Sequence, residues 1–204
     1  MYLSKQDYII HQGLVWSVNA KKSGINTQPF KRHIDQLLIM LDRYSKVFVL
    51  RFDLRFPDDV KATDDSKVLS IFLRRLRKQI KAHYGNMSIG YSWCREQERA
   101  KHQHYHLVLM LNGHKVQSAK WLCSRIRNIW SDVAGGTPHW SRYYRVNREQ
   151  FKQCQSGLDN TDKINIVNRA VFHISYLFKG RGKGYQPKTS HSYGHSRLKS
   201  RVIL

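Results

Sequence analysis

Two histidines one residue apart, His104 and His106, open the apolar run Leu107 to Leu111, and Glu96 closes the apolar-flanked segment that precedes them. A charged connection separates the two runs, which predicts a β-hairpin. Side chains alternate across a strand, so His104 and His106 face one way and Tyr105 the other. In the preceding run Ser92, Cys94 and Glu96 share one face, while Tyr91, Trp93 and Arg95 share the opposite one. Pairing of the two strands brings Glu96 towards the histidines. Two imidazoles and a carboxylate on rigid strands, with other positions open, can hold a catalytic divalent cation. Gln97 and Glu98 compete with Glu96 for the third place, and strand alternation favours either glutamate over Gln97. The His-x-His spacing alone is a weak signal. Eleven histidines in 204 residues produce it by chance about 0.6 times per chain, so its weight comes from the strand that follows and the acid that precedes.

The neighbouring segments must carry this hairpin. Lys46 to Pro57, K-V-F-V-L-R-F-D-L-R-F-P, alternates: Phe48, Leu50, Phe52, Leu54 and Phe56 take one face, and Val49, Arg51, Asp53 and Arg55 the other. Proline ends the strand. The phenylalanine face and the hairpin's apolar face (Ile89, Tyr91, Trp93, Tyr105, Leu107, Leu109, Leu111) are expected to pack on helices. Glu96, His104, His106, Arg51, Asp53 and Arg55 then converge on the opposite face. Periodicity predicts helices from Pro29 to Tyr44, Lys67 to Tyr84, Val116 to Val133 and Asp162 to Lys179. His139 to Asn147 reads as a further strand and Phe151 to Asp162 as loop. In the last helix, Val167, Ala170, Val171, Ile174, Leu177 and Phe178 form the apolar stripe. Tyr176 and Lys179 fall on the other side, about 60 degrees apart. A stripe packed on the sheet would aim Tyr176 away from the histidines, so the tyrosine reaches them only from a helix at the sheet's edge or one packed on other helices. Residues 1–26 read as an irregular arm. The stretch from Gly180 to Leu204, basic and rich in Gly, Ser and His, reads as a flexible arm that orders on a phosphate backbone.

Composition narrows the partner. Thirty-six basic against 14 acidic residues give a net charge of +22, which points to a polyanion. No apolar stretch approaches the length of a spanning helix, so nucleic acid is expected rather than membrane. Met1 to Ile10 carries Lys5 and Asp7 and lacks a signal-peptide core. Cys94, Cys123 and Cys154 lie far apart and form no C-x-x-C, which argues for a reducing compartment and against a zinc finger or disulfide framework. A chain of 204 residues with 41% hydrophobic content suits one domain with a tail.

Taken together, these residues resemble a known superfamily. His104-Tyr105-His106 and its apolar run resemble the His-hydrophobe-His motif of HUH endonucleases, with Tyr105 where an aliphatic residue is usual. The run V-F-V-L-R-F-D-L-R-F-P resembles their first strand motif, and Tyr176-x-x-Lys179 their tyrosine motif. The order of the three is that of replication initiators. More narrowly, R-F-D-L-R-F-P, R-E-Q-E-R…H-Y-H-L-V-L-M-L-N and S-Y-L-F-K-G look like inovirus-type replication proteins, including prophage proteins of the YagK/YfjJ type. The resemblance covers Val47 to Lys179.

It implies an α+β fold: a central antiparallel β-sheet, palm-like (RRM-like), with helices packed on one face and the active site on the other. Residues 46–180 would form the endonuclease domain, 1–45 an N-terminal arm and helix, and 181–204 a basic tail. The implied activity is metal-dependent, sequence-specific nicking and joining of one DNA strand, initiating rolling-circle-type replication of a phage, prophage or plasmid-like element in the cytoplasm of a bacterial host. Tyr176 would be the nucleophile, leaving a 5′-phosphotyrosine and a free 3′-hydroxyl. His104, His106 and Glu96 would hold Mg²⁺ or Mn²⁺, and Lys179 would position the phosphate or neutralise developing charge. Arg51, Asp53, Arg55, Arg181 and Lys183 are assigned to contacts with single-stranded or origin DNA, with a host helicase and polymerase as further partners. One tyrosine in the motif suggests a single-nucleophile enzyme, with Tyr185 close enough to keep in view. A single-tyrosine transposase or relaxase, or a non-catalytic nucleic-acid-binding regulator, would use the same residues.

Overall fold

The computed structural model describes residues 3–58, 66–96, 103–155, 166–180 and 191–200. Its elements run, in chain order, β1 (Leu3–Ser4), β2 (Tyr8–His11), β3 (Leu14–Ser17), β4 (Ile25–Asn26), α1 (Thr27–Arg43), β5 (Lys46–Arg55), α2 (Lys67–Tyr84), β6 (Gly90–Glu96) and β7 (His104–Asn112). There follow α3 (Lys120–Ala134), β8 (Thr137–Asn147), α4 (Arg148–Gln155), α5 (Ile166–Ser175), a 3₁₀ turn at Tyr176–Phe178 and β9 (Tyr193–His195). The fold is α+β, built on a five-stranded sheet in the order β8-β5-β7-β6-β9, with every neighbouring pair antiparallel.

The alternation in β5 sets one side of this sheet. Phe48, Leu50, Phe52 and Leu54 join Tyr105, Leu107, Leu109 and Leu111 of β7 in a core closed by α2 and α3. Leu69, Phe72, Leu76 and Ile80 of α2 and Leu122, Ile126 and Trp130 of α3 supply the covering layer, each almost fully buried. α2 has the boundaries expected of it, whereas β5 ends at Arg55, two residues before the proline expected to close it.

The opposite side departs from expectation. Helices cover it as well: Val47, Val49, Cys94, Val108, Met110 and Val146 of the sheet share a second core with Phe30, Ile34, Leu37 and Met40 of α1 and Val167, Ala170, Val171 and Ile174 of α5. The physical reason lies in β5 and β7 themselves. K-V-F-V-L and V-L-M-L are continuous apolar runs, the pattern of strands buried on both faces. Leaving those valines and the methionine in water would cost roughly 1.5–3 kcal/mol each. Alternation with polar residues starts only at Arg51. This face is therefore divided along the strands into an apolar half under α1 and α5 and a polar half left for the site.

The two ends of the chain are more ordered than their composition suggests. β2 and β3 pair as a hairpin around Gln12 and Gly13, both with positive φ (53° and 71°), as a tight primed turn requires. At the other end, part of the segment read as a flexible arm is an edge strand: β9 pairs with β6 through Ser92↔His195 and Cys94↔Tyr193. Ser196 donates to Gln36 Oε1 at 2.6 Å and accepts from the Tyr91 amide at 3.1 Å, which caps an otherwise open sheet edge. Gly194 is required there, because a Cβ would lie 2.5 Å from the Trp93 indole. The region read as loop after Phe151 begins within α4, and the last helix is shorter than expected, giving way at Tyr176 to the 3₁₀ turn. No helix among the described residues is long and apolar enough to cross a membrane.

α1 also buries a histidine, His33, completely. Its Nδ1 meets Ser92 Oγ at 2.9 Å. Burial, assisted by the charge of His195, pushes the ring down to about 3 from 6.5, so it is neutral in the fold while the unfolded chain takes up a proton below pH 6.5. Unfolding then binds a proton, and stability falls on acidification from about pH 6.5 towards 3, by up to about 1.4 kcal/mol per pH unit. Chemical denaturation at pH 7 and pH 5 should show the wild type losing more stability than His33→Gln over that interval. Equal losses would mean that His33 is not held neutral.

Candidate metal and tyrosine site

Three strands meet at the polar half of the divided face. β7 lies between β5 and β6, with Asp53 opposite His106 and Arg55 opposite His104 on one side, and Cys94 opposite His106 and Glu96 opposite His104 on the other. His106 is the centre of the arrangement. Its Nδ1 is 2.6 Å from Asp53 Oδ1 and its Nε2 is 2.8 Å from Glu96 Oε2. His104 Nε2 stands 3.1 Å from His106 Nε2 and 3.9 Å from Glu96 Oε2. Glu96 thus reaches past its direct partner to the diagonal histidine.

Glu96 and His106 are buried, at 5% and 4% exposure, and His104 is half-buried. Burial alone would lower the His106 pKa. The hydrogen bonds and negative charges of Asp53 and Glu96 outweigh it and hold the ring above the usual imidazole value. Burial would likewise raise Asp53, but its bond to His106 and the nearby charges of His106 and Arg51 keep it below the usual carboxylate range. Asp53 is therefore an ionised acceptor that fixes the tautomer and tilt of the ring, as carboxylates do behind metal-bound histidines.

The donor set suits a divalent cation. One ligand atom from each of Glu96, His104 and His106 lies within 4.8 Å of the others. Ligands about 2.1 Å from an octahedral ion stand about 3 Å apart, close to the 2.8, 3.1 and 3.9 Å separations here. His106 has its second nitrogen tied to Asp53, so its Nε2 is aimed at that shared space.

Tyr176 arrives from the side. α5 does pack its stripe on the sheet, but on the site's own face, over the apolar half and beside β3 and β8. The helix tightens to 3₁₀ geometry at Tyr176–Phe178, which removes the conflict noted for a straight helix. The Tyr176 ring stands edge-on to the His106 ring with centroids 5.7 Å apart. In a 3₁₀ turn residues three apart eclipse one another, and Lys179 accordingly places its Nζ 5.1 Å from the Tyr176 centroid. Lys179 is anchored by a bond to the Lys21 carbonyl at 3.3 Å and by a bridge of its backbone to Ile25. Burial and the charge of Lys22 lower its pKa, with Glu96 opposing.

The structure sorts the other expected residues. Arg51 is buried at 7% exposure, donates to the His173 carbonyl at 2.8 Å and sets its guanidinium 4.8 Å from the Tyr176 centroid. It stands between the Tyr176 ring and the cavity beside it. Asp53 likewise faces His106, where a negative group could not bind phosphate. Their positions across from Val108 and His106 in the β5–β7 register are the signal that would have found these roles. Arg55 remains exposed at the sheet's end, and its carbonyl accepts from Trp130 Nε1 at 2.8 Å. Gln97, Glu98, Arg181, Lys183 and Tyr185 lie outside the described residues.

A family model for the YagK/YfjJ C-terminal domain matches residues 15–196. The chain belongs to that family. No curated protein and no solved structure matches it. The YagK/YfjJ match runs from within β3 through β9, so it takes in all five strands of the central sheet, the histidine pair and Tyr176.

Replacing Asp53 with asparagine keeps the shape but removes the charge behind His106. Calorimetric titration with Mn²⁺ is expected to show affinity lower by about 10–100-fold in Asp53→Asn. Unchanged affinity would show that the carboxylate does not orient the ligand.

Proposed function

We propose that this YagK/YfjJ-family protein is an HUH-type endonuclease, related to inovirus-type replication initiators, that nicks and rejoins a single DNA strand through Tyr176. The observation that carries this reading is the approach of the Tyr176 ring to His106, with Lys179 and Arg51 against the same ring. Phosphodiester cleavage requires a nucleophile in line with the scissile phosphate and positive groups around its non-bridging oxygens. A tyrosine beside a candidate metal centre, flanked by two buried cations, meets both needs.

In this reading the Tyr176 hydroxyl releases its proton to solvent as its oxygen attacks phosphorus, the P–O bond to the 3′ oxygen breaks, and that oxygen takes up a proton from solvent and leaves as a hydroxyl. The phosphate stays on Tyr176 as a 5′-phosphotyrosine. Because the ester energy is kept, attack by a later 3′-hydroxyl reseals the strand without ATP. Lys179 and Arg51 hold the tyrosine and offset charge gathering on the phosphate. Glu96, His104 and His106 would hold a divalent cation, which would supply Lewis-acid polarisation of the phosphate. Mg²⁺ or Mn²⁺ is the cation this reading assigns to the site. Asp53 keeps His106 in register for that role. The free 3′-hydroxyl would prime a host polymerase, with a helicase supplying single strand, on a prophage or similar replicating element. The net charge of +22 fits a nucleic-acid substrate.

The test is incubation with a single-stranded oligonucleotide library and Mn²⁺, followed by mass spectrometry of DNA-linked peptides. The adduct is expected on the peptide containing Tyr176. Nicking should fall by about 10³-fold or more in Tyr176→Phe and disappear with EDTA. An adduct that survives Tyr176→Phe, or nicking that survives EDTA, would overturn the mechanism.

A further inference from the structure

A cavity of about 650 Å³ lies next to Tyr176. Arg51, Arg142, Tyr144, Arg169, Phe172 and Tyr176 are among the residues that surround it, and none of Glu96, His104 or His106 does. Its size falls in the range of small-ligand sites, roughly 300–1,000 Å³. The lining combines two kinds of chemistry. Phe172 is 45% exposed, an unusual state for a large apolar ring, and Tyr144 offers a second aromatic face held edge-on to His173 at 5.8 Å. Arg142 and Arg169 stand exposed, while Asn19 and Asn168 supply amides.

We propose that this cavity is a subsite for one unstacked base of the DNA strand, placed on Phe172 and Tyr144, with the adjoining phosphate held by Arg142 and Arg169. The proposal rests on the reading of Tyr176 as the nucleophile, since it names where the nucleotide beside the scissile phosphate would sit. A planar, partly apolar group with polar edges is what two aromatic rings and two amides complement, and base stacking on aromatics is sequence-tolerant. The arginines add an anion's share, which a purely apolar ligand would not need. His173 reinforces this assignment. Its Nε2 is tied to Ser141 Oγ at 2.9 Å, and burial with the charges of Arg51 and Arg142 pushes the ring down to about 4. It therefore presents a neutral ring to the cavity at pH 7. The subsite shares Tyr176 and Arg51 with the reaction centre, so a base seated there would draw its own phosphate towards the tyrosine.

The experiment measures binding of the full chain, in EDTA so that no strand is cut, to two fluorescent probes of equal length: oligo-thymidine and the same backbone with every base absent. The wild type is expected to prefer the base-bearing strand. Phe172→Ala should reduce that preference by about tenfold, and Phe172→Tyr should retain it. Arg142→Ala should weaken both probes alike and lower the salt slope by about one. If Phe172→Ala leaves the preference unchanged, or if Arg142→Ala affects only the base-bearing probe, the assignment is overturned. The result is separable from the nicking test. Adduct formation with an unaltered preference removes the subsite and keeps the nuclease, whereas an altered preference without an adduct keeps a single-strand binder and removes the nuclease.

Discussion

Everything at this site depends on the His106 ring being fixed from both sides, by Asp53 on β5 at one nitrogen and Glu96 on β6 at the other. The two carboxylates come from different strands, so the ring reports the relative register of three segments at once. A one-residue slip of β5 or β6 would turn its carboxylate to the opposite face. What prevents the slip is on the other side of the sheet, where Phe48 to Leu54 interdigitate with Tyr105 to Leu111 beneath α2 and α3. The core's alternation sets the register, and the register assembles the site. Neither carboxylate needs to find the histidine by its own side-chain freedom.

The division of the site face explains how the tyrosine is delivered. α1 and α5 must lie on the apolar half, because Val47, Val49, Val108 and Met110 cannot be left in water. That packing carries α5 to the border at which Arg51 and Cys94 replace the aliphatics. The helix ends there, and its tighter last turn turns Tyr176 towards His106 with Lys179 alongside. A helix that stayed regular would satisfy the same core while presenting another side chain to the histidines. The 3₁₀ turn is thus a local departure from the preferred geometry that the site uses, and Leu177 and Phe178, both fully buried, hold it in place.

Much of this was legible in the residues. Period-two alternation located β5, β6 and β7 and put Glu96, His104 and His106 on one face, and helical periodicity found α2 to the residue. Two kinds of information were hidden. Long-range partnership was the first: Asp53 and Arg51 read as DNA contacts on the site face, and only the pairing of β5 with β7 shows one of them bonded to His106 and the other lying near Tyr176. The second was a pattern read too coarsely. Val49 counts as an apolar member of a largely polar face in the alternation, although a run apolar at every position announces burial on both sides. The same coarseness treated the segment after Gly180 as a tail by composition, where Tyr193 to His195 supplies the last strand. Its pairing rests on backbone hydrogen bonds and on the small size of Gly194, features that composition does not express.

The distribution of charge separates affinity from chemistry. Many lysines and arginines among the described residues are exposed, where one can stand in for another and salt screens them all. Arg51 and Lys179 differ because they are at most 9% exposed, and a buried cation is tolerated only with compensation. Here the compensation is local: the His173 and Lys21 carbonyls accept from them, the Tyr176 π-face lies beside both, and Asp53 and Glu96 supply negative charge nearby. A folded chain that required only general attraction to a polyanion would gain nothing by desolvating two cations around one tyrosine. Under the proposed nicking reaction, their burial confines positive charge to that ring, where a phosphoryl group would pass onto the tyrosine oxygen and off again.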